Sequence, residues 1–219
     1  MTERIAVIDC GSGNLRSVAK ALERAAGMAR RRCEVRVTAS VQEVRDADRI
    51  VLPGVGAFAA CRAGLRRVDG LWQALHEAMT SRPRPLLGIC VGMQLLASRG
   101  REHGDHAGFD RIPGEVVPLS PADPACKVPH MGWNALALTD AGRAHALFTG
   151  LRDGDHVYFV HSYHMMPRNE DDCLARTDHG GPVTAAVGRD LVVGVQFHPE
   201  KSQQTGLRLL RNFLEWTHE

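Results

Sequence analysis

The first half of the chain alternates short runs of consecutive apolar residues with stretches in which apolar residues recur at helical spacing. Unbroken apolar runs are typical of strands buried on both faces of a parallel sheet, and apolar stripes are typical of helices that cover such a sheet. The runs predict strands at 5–8, 33–38, 49–52 and 85–90, and the stripes predict helices at 15–26, 41–47, 57–67 and 71–82. The strand at 33–38 alternates apolar and polar residues, which places it at or near a sheet edge.

The second half has few helical stripes and several short strand patterns separated by turn residues. Strands are predicted at 116–117, 135–138, 157–160, 183–187 and 192–197, with a hairpin loop at 188–190 and a closing amphipathic helix at 207–216. The combination predicts an α/β fold, a flavodoxin-like three-layer α/β/α sandwich. Its central sheet should be mainly parallel, with an antiparallel extension in the C-terminal half. Because no repeat or linker divides the sequence, we expect one domain over residues 1–219.

Composition narrows the range of functions. A net charge of +2 across 219 residues, without a block of like charge, does not favour a nucleic-acid partner. The six cysteines are widely scattered, which indicates reduced thiols rather than a disulfide framework or a metal site. The sequence begins directly with a strand pattern and has no apolar run long enough to span a bilayer. We therefore expect a cytoplasmic protein that does not bind membranes.

A cysteine ends the buried strand predicted at 85–90. Gly88 and Gly92 flank Cys90 at two residues on either side, the spacing of a nucleophile elbow, in which a strand turns sharply into a helix. A thiol at the start of the following helix would have a lowered pKa and would lie beside N–H groups that stabilise an oxyanion. A buried thiol that packs as a small hydrophobe is the plain alternative. The paired glycines favour the nucleophile.

A candidate base follows the last apolar strand. His198 and Glu200 come directly after the run at 192–197, and parallel strands place their carboxyl ends on one edge of a sheet. His198 can therefore meet Cys90, while Glu200 can orient the imidazole and stabilise its cation. A His–Glu pair at this spacing is ordinarily a surface pair. Its position just beyond a core strand favours a Cys-His-Glu triad instead.

Other glycine-rich and histidine-containing segments are less specific. The strand at 49–52 runs into a turn at 53–56, which can present a backbone N–H to an oxyanion or serve simply as a turn. The G-x-G at 11–13 can cradle a phosphate, but a tight strand-to-helix turn explains it equally well. The polar loop predicted at 99–111 contains two histidines without a third ligand at a familiar spacing, so no metal site is predicted.

These segments together resemble the class I, or triad, glutamine amidotransferases, and the resemblance covers almost the whole chain. The elbow and the His-Pro-Glu segment carry the likeness to the superfamily. Within it, the chain is similar to glutaminase subunits that serve a cyclase in histidine biosynthesis. That closer similarity rests on Gly11-Ser12-Gly13-Asn14-Leu15, Pro53-Gly54-Val55-Gly56-Ala57-Phe58, Pro129-His130-Met131-Gly132-Trp133-Asn134, His161-Ser162-Tyr163 and His198-Pro199-Glu200-Lys201-Ser202.

The resemblance implies that the chain hydrolyses L-glutamine to glutamate and passes the ammonia to a separate (β/α)₈ barrel cyclase. The two subunits are expected to form a one-to-one heterodimer. The cyclase would use the ammonia to make imidazole glycerol phosphate and an aminoimidazole carboxamide ribotide. No cofactor or metal is expected.

The resemblance also implies roles for individual residues. Cys90 would attack the amide carbon, His198 would transfer protons and Glu200 would orient the imidazole, in keeping with the chemistry of these residue types. The oxyanion is expected to lie at Val55, Gly56 and Val91. Substrate contacts are expected at Gly54, Gly92, Gln94, Glu102, His161, Ser162 and Tyr163. Contacts with the cyclase are expected at Trp133, Asn134 and Lys201.

Three other kinds of protein share parts of this pattern. One is another triad amidotransferase, such as the glutaminase of pyridoxal phosphate synthase or of anthranilate synthase, and the block at 131–134 argues against both. The second is a cysteine peptidase or deglycase-like hydrolase, which would not be expected to carry the His-Pro-Glu segment. The third is a non-catalytic binding module, which the intact Cys90, His198 and Glu200 make improbable.

Overall fold

The computed structural model describes residues 2–11 and 13–217, so that Ser12 of the segment at 11–15 lies outside the described residues. The strands are β1 (Glu3–Ile8), β2 (Cys33–Thr38), β3 (Arg49–Gly54), β4 (Leu86–Cys90), β5 (Arg99–Gly100), β6 (His106–Ala107), β7 (Gly114–Pro118), β8 (His130–Ala135), β9 (Ala137–Leu138), β10 (His156–His161), β11 (Tyr163–Pro167), β12 (Cys173–Asp178), β13 (Pro182–Arg189) and β14 (Val192–Val195). The helices are α1 (Leu15–Met28), α2 (Val41–Asp46), α3 (Phe58–Arg67), α4 (Leu71–Met79), α5 (Val91–Gln94), α6 (Asp140–Ala144) and α7 (Gln203–Glu215).

The main sheet has eight strands in the order β2-β1-β3-β4-β14-β13-β12-β9. Neighbouring strands from β2 to β14 run parallel, and those from β14 to β9 run antiparallel. Every residue of β3 and β4 is buried, as expected for central strands that are covered on both faces. The strand β2 is partly exposed and forms the predicted edge. The sheet therefore confirms the predicted fold class.

Helices pack in two groups. The helices α1 and α7 contact each other, whereas α4 contacts both α2 and α3, and α3 also contacts α5. The stripe of α1 buries Val18, Leu22, Ala25 and Ala26, so its apolar face joins the core as the pattern predicts. The four helices predicted in the first half are all present, with their ends displaced by a few residues.

Two smaller sheets lie outside the main one. The strand β8 pairs with β10 in an antiparallel ribbon, and β11, β7, β5 and β6 form a four-stranded sheet. The loop predicted at 99–111 is therefore partly ordered as the short antiparallel pair β5–β6. The strand predicted at 135–138 is divided between β8 and β9, and the patterns did not indicate β11 or β12.

The predicted hairpin loop at 188–190 is wrong by two residues. Arg189 still belongs to β13 and pairs with Val192 of β14, which leaves only Asp190 and Leu191 in the turn. Asp190 has a φ of 52°, and aspartate tolerates this left-handed conformation in two-residue hairpin turns. Within residues 2–11 and 13–217, no helix has both the length and the apolar character to cross a membrane.

Candidate active site

The sharp turn at Cys90 is present. The strand β4 ends at Cys90 and α5 begins at the next residue. Cys90 has a φ of 55° and a ψ of −113°, a region that non-glycine residues rarely occupy and that is associated with functional sites. The helix α5 has only four residues. Its dipole is correspondingly small, so other groups must supply most of the stabilisation of a thiolate.

Three glycines allow the backbone to pack around this turn. A Cβ atom on Gly92 would lie 1.8 Å from the carbonyl oxygen of Leu52, and one on Gly88 would lie 2.7 Å from the carbonyl oxygen of Gly92. A Cβ atom on Gly54 would lie 2.9 Å from the nitrogen of Gly92. Any side chain at these positions would push β3, β4 and α5 apart. Steric exclusion of a side chain therefore explains why glycine occupies positions 88 and 92 on either side of Cys90.

His198 and Glu200 lie where the parallel sheet predicts them. The strand β14 pairs with β4, and the chain beyond β14 brings the His198 side chain towards Cys90. The Nδ1 atom of His198 lies 2.9 Å from Oε1 of Glu200, and both side chains are buried. Ser202 fixes the segment by donating its hydroxyl to the His198 carbonyl oxygen at 2.6 Å. The buried pair is not the surface pair that its spacing alone would suggest.

The environment of His198 favours its cation. Burial lowers the pKa of the imidazole, but hydrogen bonding to Cys90 and Glu200, together with their negative charge, outweighs burial and raises the pKa to about 9. The Nε2 atom is buried without a hydrogen bond of ordinary geometry, so the contact with Cys90 is loose. Catalytic contacts of this kind commonly tighten when a substrate binds. At neutral pH, His198 is therefore protonated and can donate a proton.

The pKa of His198 should depend on the sulfur of Cys90. In Cys90→Ala, burial still opposes the cation but one of its two negative partners is lost, so the pKa should fall by about one unit or more. Proton NMR titration of the imidazole measures it, with His198→Ala used to assign the resonance among the 11 histidines. An unchanged titration would mean that Glu200 alone raises the pKa.

A cleft of about 350 Å³ opens over the elbow. Eleven of the predicted site residues line it, and Pro129 and Val160 join them. The predicted residues that do so are Val55, Gly56, Cys90, Val91, Gln94, Glu102, His161, Ser162, Tyr163, His198 and Lys201. Gly54, Gly92, Trp133 and Asn134 do not line the cleft, and Glu200 reaches it only through His198. Gly54 and Gly92 have a packing role at the elbow. Their contact with the substrate stays a prediction.

The predicted oxyanion turn forms one wall of the cleft. Gly56 has a φ of 80°, a left-handed conformation that favours glycine, and a Cβ atom there would meet nothing within 4 Å. Glu102 anchors the end of this wall, because its carboxylate accepts a hydrogen bond of 2.7 Å from the backbone N–H of Phe58. Glu102 thus supplies the N-terminal cap that α3 otherwise lacks, in addition to facing the cleft.

A pair of glutamines lies beneath Cys90. The side-chain nitrogen of Gln94 donates to the carbonyl oxygen of Tyr163 and to Oε1 of Gln196, both at 3.0 Å. The nitrogen of Gln196 in turn lies 3.6 Å from the Cys90 sulfur. Sequence reasoning missed Gln196. The available signal was a single amide within the otherwise apolar run that leads to His198.

A chain of hydrogen bonds runs from the Tyr163 carbonyl oxygen into the β8–β10 ribbon. His161 Nδ1 lies 2.9 Å from the carbonyl oxygen of Tyr163, which can only accept, so Nδ1 carries the hydrogen and Nε2 accepts. His130 Nδ1 then donates to His161 Nε2 at 3.0 Å, and Asn134 Nδ2 donates to His130 Nε2 at 3.1 Å. Each ring is thereby held in one neutral tautomer.

Burial keeps both imidazoles neutral. It lowers the pKa of His161 to about 3 and that of His130 to about 4. Neither group can therefore serve as an acid at neutral pH, which leaves proton transfer to His198. The sequence did not indicate His130 as a partner of His161, because only the register of β8 and β10 places the two residues opposite each other.

An aromatic surface borders the cleft. Trp133 is 47% exposed and contacts the ring of Tyr158 edge-on at 6.0 Å, while the Lys201 ammonium lies 5.6 Å from the same ring. Exposed aromatic and cationic side chains of this kind are common at protein interfaces. Asn134 differs, because its half-buried side chain is already hydrogen-bonded to His130 and to the carbonyl oxygen of Asp178. Partner contact at Asn134 stays a prediction.

No group of histidine, cysteine, aspartate or glutamate side chains suited to holding a metal ion occurs among the described residues. His103 and His106 accordingly have no additional ligand there. The cleft itself is lined by a thiol, imidazole groups, a carboxylate and a side-chain amide group.

Comparison with known proteins gives a consistent result. Residues 6–216 match the family model "Glutamine amidotransferase class-I". The chain is 58% identical over 213 residues to the imidazole glycerol phosphate synthase subunit HisH of Rhodospirillum rubrum, which covers 97% of this chain and 99% of the relative. The proteins of the same name from Mesorhizobium japonicum and Zymomonas mobilis are 55% and 56% identical, with 97% of this chain covered in each and 99% and 95% of the relatives.

Solved structures agree on the fold. A crystal structure described as a glutamine amidotransferase superposes with a TM-score of 0.70 at 18% identity, covering 96% of this chain and 97% of the other. The glutaminase domain of CTPS from Trypanosoma brucei, solved with bound acivicin, gives a TM-score of 0.64 at 16% identity, covering 100% and 96%. At these identities the likeness concerns the fold alone.

Proposed function

Because the chain belongs to the class I glutamine amidotransferase family, we propose that it hydrolyses L-glutamine with a triad of Cys90, His198 and Glu200. It supplies the ammonia to the cyclase of imidazole glycerol phosphate synthase, in histidine biosynthesis. We also propose that residues 1–219 form a single amidotransferase domain and that the protein works in the cytoplasm.

One observation carries the assignment of the triad. A strained elbow cysteine and the imidazole of a buried His–Glu pair, which follows the neighbouring strand β14, line the same cleft. A structural cysteine would need neither the left-handed backbone at Cys90 nor an imidazole whose pKa is raised beside it. This combination supports a nucleophile with its own acid and base.

Acylation follows from the charges of the site. The thiolate of Cys90 attacks the side-chain amide carbon of glutamine, and the carbonyl oxygen becomes an oxyanion. We assign the stabilisation of that charge to the N–H groups of Val91 and of the turn at Val55 and Gly56, which line the cleft. When the tetrahedral species collapses, the C–N bond breaks and the cationic His198 gives its proton to the departing ammonia. A thioester between glutamate and Cys90 remains.

Acylation itself prepares the second step. The thioester sulfur carries no negative charge, so the pKa of His198 loses one of the contributions that raise it. The imidazole, now neutral, takes a proton from water as the water attacks the thioester carbonyl. Collapse of this second tetrahedral species expels the Cys90 thiolate and releases glutamate, and His198 is again a cation. Side chains and backbone groups supply every step, so no cofactor is required.

The aromatic surface formed by Trp133, Tyr158 and Lys201 supports a docking site for the barrel cyclase. It lies beside the cleft and includes Lys201, which is both exposed and part of the cleft lining. A partner that covers this surface would enclose the point from which ammonia leaves. We propose a one-to-one heterodimer on this face, with lyase chemistry confined to the cyclase.

The proposal predicts that the isolated chain releases glutamate slowly and that the cyclase, loaded with its acceptor substrate, accelerates release by at least about tenfold. The physical reason is that the N–H groups of the turn at Gly56 must face the oxyanion before attack, and docking of the cyclase would set their direction. Glutamate production from purified chain, with and without the cyclase, measures the effect. Full turnover by the isolated chain would contradict the gating of the turn.

A matched pair of variants tests the docking face. Trp133→Ala should weaken activation by the cyclase, whereas Val37→Ala, which alters an apolar residue of 43% exposure on the edge strand β2, should not. Both variants should fold normally, because each affected side chain is largely outside the core. If the cyclase activated the two variants equally, it would have to bind a different surface of the chain.

A further inference from the structure

Gln196 is a fully buried polar residue whose presence the triad does not explain. Its exposure is 0%, and its neighbours along the chain are Val195 and Phe197. Burying an amide is costly unless its donor and acceptor are both satisfied. An apolar residue would continue the strand at lower cost, so the contacts of Gln196 must account for the amide.

The hydrogen-bond pattern fixes which end of the amide faces the nucleophile. The Tyr163 carbonyl oxygen can only accept, so the nitrogen of Gln94 must face it. The second hydrogen of that nitrogen is donated to Oε1 of Gln196. The nitrogen of Gln196 must then point the other way, towards the Cys90 sulfur at 3.6 Å. A backbone carbonyl thus orients two side-chain amides in sequence.

An N–H donor beside a sulfur favours the thiolate over the thiol, because it bonds more strongly to the charged form. This contribution is needed, since the single turn of α5 provides little dipole. His198 supplies positive charge from one direction, and Gln196 supplies a neutral donor from within the core. When His198 loses its proton, the thiolate loses the stabilisation that the cation provided. The hydrogen bond from Gln196 is still present.

From this geometry we infer that Gln196 is a further catalytic residue, which stabilises the Cys90 thiolate by donating from Nε2 to the sulfur. The inference rests on the proposed glutaminase function. Gln196 would stabilise the thiolate at two points of the reaction. Gln196 increases the fraction of Cys90 that is ready to attack, and it stabilises the same thiolate when the second tetrahedral species expels it.

Gln196→Met tests this role, because methionine keeps the length and volume of the side chain but has no N–H. The apparent pKa for alkylation of Cys90 by iodoacetamide should rise by about one unit, so that alkylation slows roughly tenfold on the acid side of that pKa. Mass spectrometry of the Cys90 peptide across a pH series measures this. In the complex with the cyclase, kcat and kcat/KM for glutamine should fall together, by roughly tenfold.

Two further variants separate catalysis from folding. Asn212→Leu removes another buried amide, one that ties α7 to the carbonyl oxygens of Leu147 and Thr149, and should leave the alkylation profile unchanged. Gln196→Leu also lacks the donor and adds no charge beside the sulfur. It should raise the apparent pKa of Cys90 about as much as methionine does, and it decides the matter if Gln196→Met does not fold.

The outcomes distinguish this inference from the proposed function. A wild-type alkylation profile in the Gln196 variants, with glutaminase activity lost in Cys90→Ala, overturns the role of Gln196 and leaves the triad intact. Retained glutaminase activity in Cys90→Ala overturns the triad itself. A raised pKa in both Gln196 variants and not in Asn212→Leu supports the role proposed for the amide.

Discussion

Replacing Cys90 with alanine should abolish glutamine-dependent synthesis by the complex, on the order of 10⁴-fold or more, and leave ammonia-dependent synthesis intact. The change removes the sulfur and keeps the Cβ atom, so the left-handed backbone at this position is no more strained than before. The cyclase reaction needs ammonia, whatever its source. Assays with glutamine and with free ammonia at alkaline pH, on one preparation, separate the two activities.

A second cysteine provides the matched control. Cys173 is buried in β12, and its sulfur lies 3.6 Å from the carbonyl oxygen of Ala175, away from the lining of the cleft. Cys173→Ala should therefore lower stability slightly and leave both nitrogen sources usable. If Cys90→Ala lost both activities equally while binding the cyclase normally, the chain would not be a dedicated supplier of ammonia.

Local patterns were sufficient to predict the elbow and the parallel part of the main sheet. The strands around Cys90 are buried on both faces, so they appear in the sequence as unbroken apolar runs that few other structures produce. The turn itself needs glycine at 88 and 92, because a Cβ at either position would collide with backbone atoms. Steric constraints of this kind restrict the residue type at single positions, so they can be recognised in the sequence.

Contacts that depend on the pairing of distant strands could not be predicted from local sequence patterns. His130 and His161 are 31 residues apart and meet only because β8 and β10 align them in register. Gln196 looks like a lone polar residue in a core strand until the orientation of Gln94 is known. The same reason explains the displaced hairpin at Asp190, since its position depends on which residues of β13 and β14 pair.

The second large effect should be seen at His198. His198→Ala removes both the acid that protonates ammonia and the base that activates water, so glutaminase activity should fall about as far as in Cys90→Ala. Ammonia-dependent synthesis should again persist. Glu200→Ala should retain roughly 10- to 100-fold more activity than His198→Ala, because an orienting carboxylate contributes less than the group it orients.

The direction of the pH dependence identifies what Glu200 does. In the wild type, its carboxylate helps to hold the pKa of His198 at about 9, against the effect of burial. Without that charge the pKa must fall, so His198 loses its proton at lower pH and can no longer protonate ammonia there. The alkaline limit of the acylation rate in Glu200→Ala should therefore move to lower pH, as measured by the burst of ammonia released in a single turnover. An unchanged alkaline limit, together with reduced turnover, would mean that Glu200 only positions the ring and that the charge of Cys90 alone maintains the imidazolium.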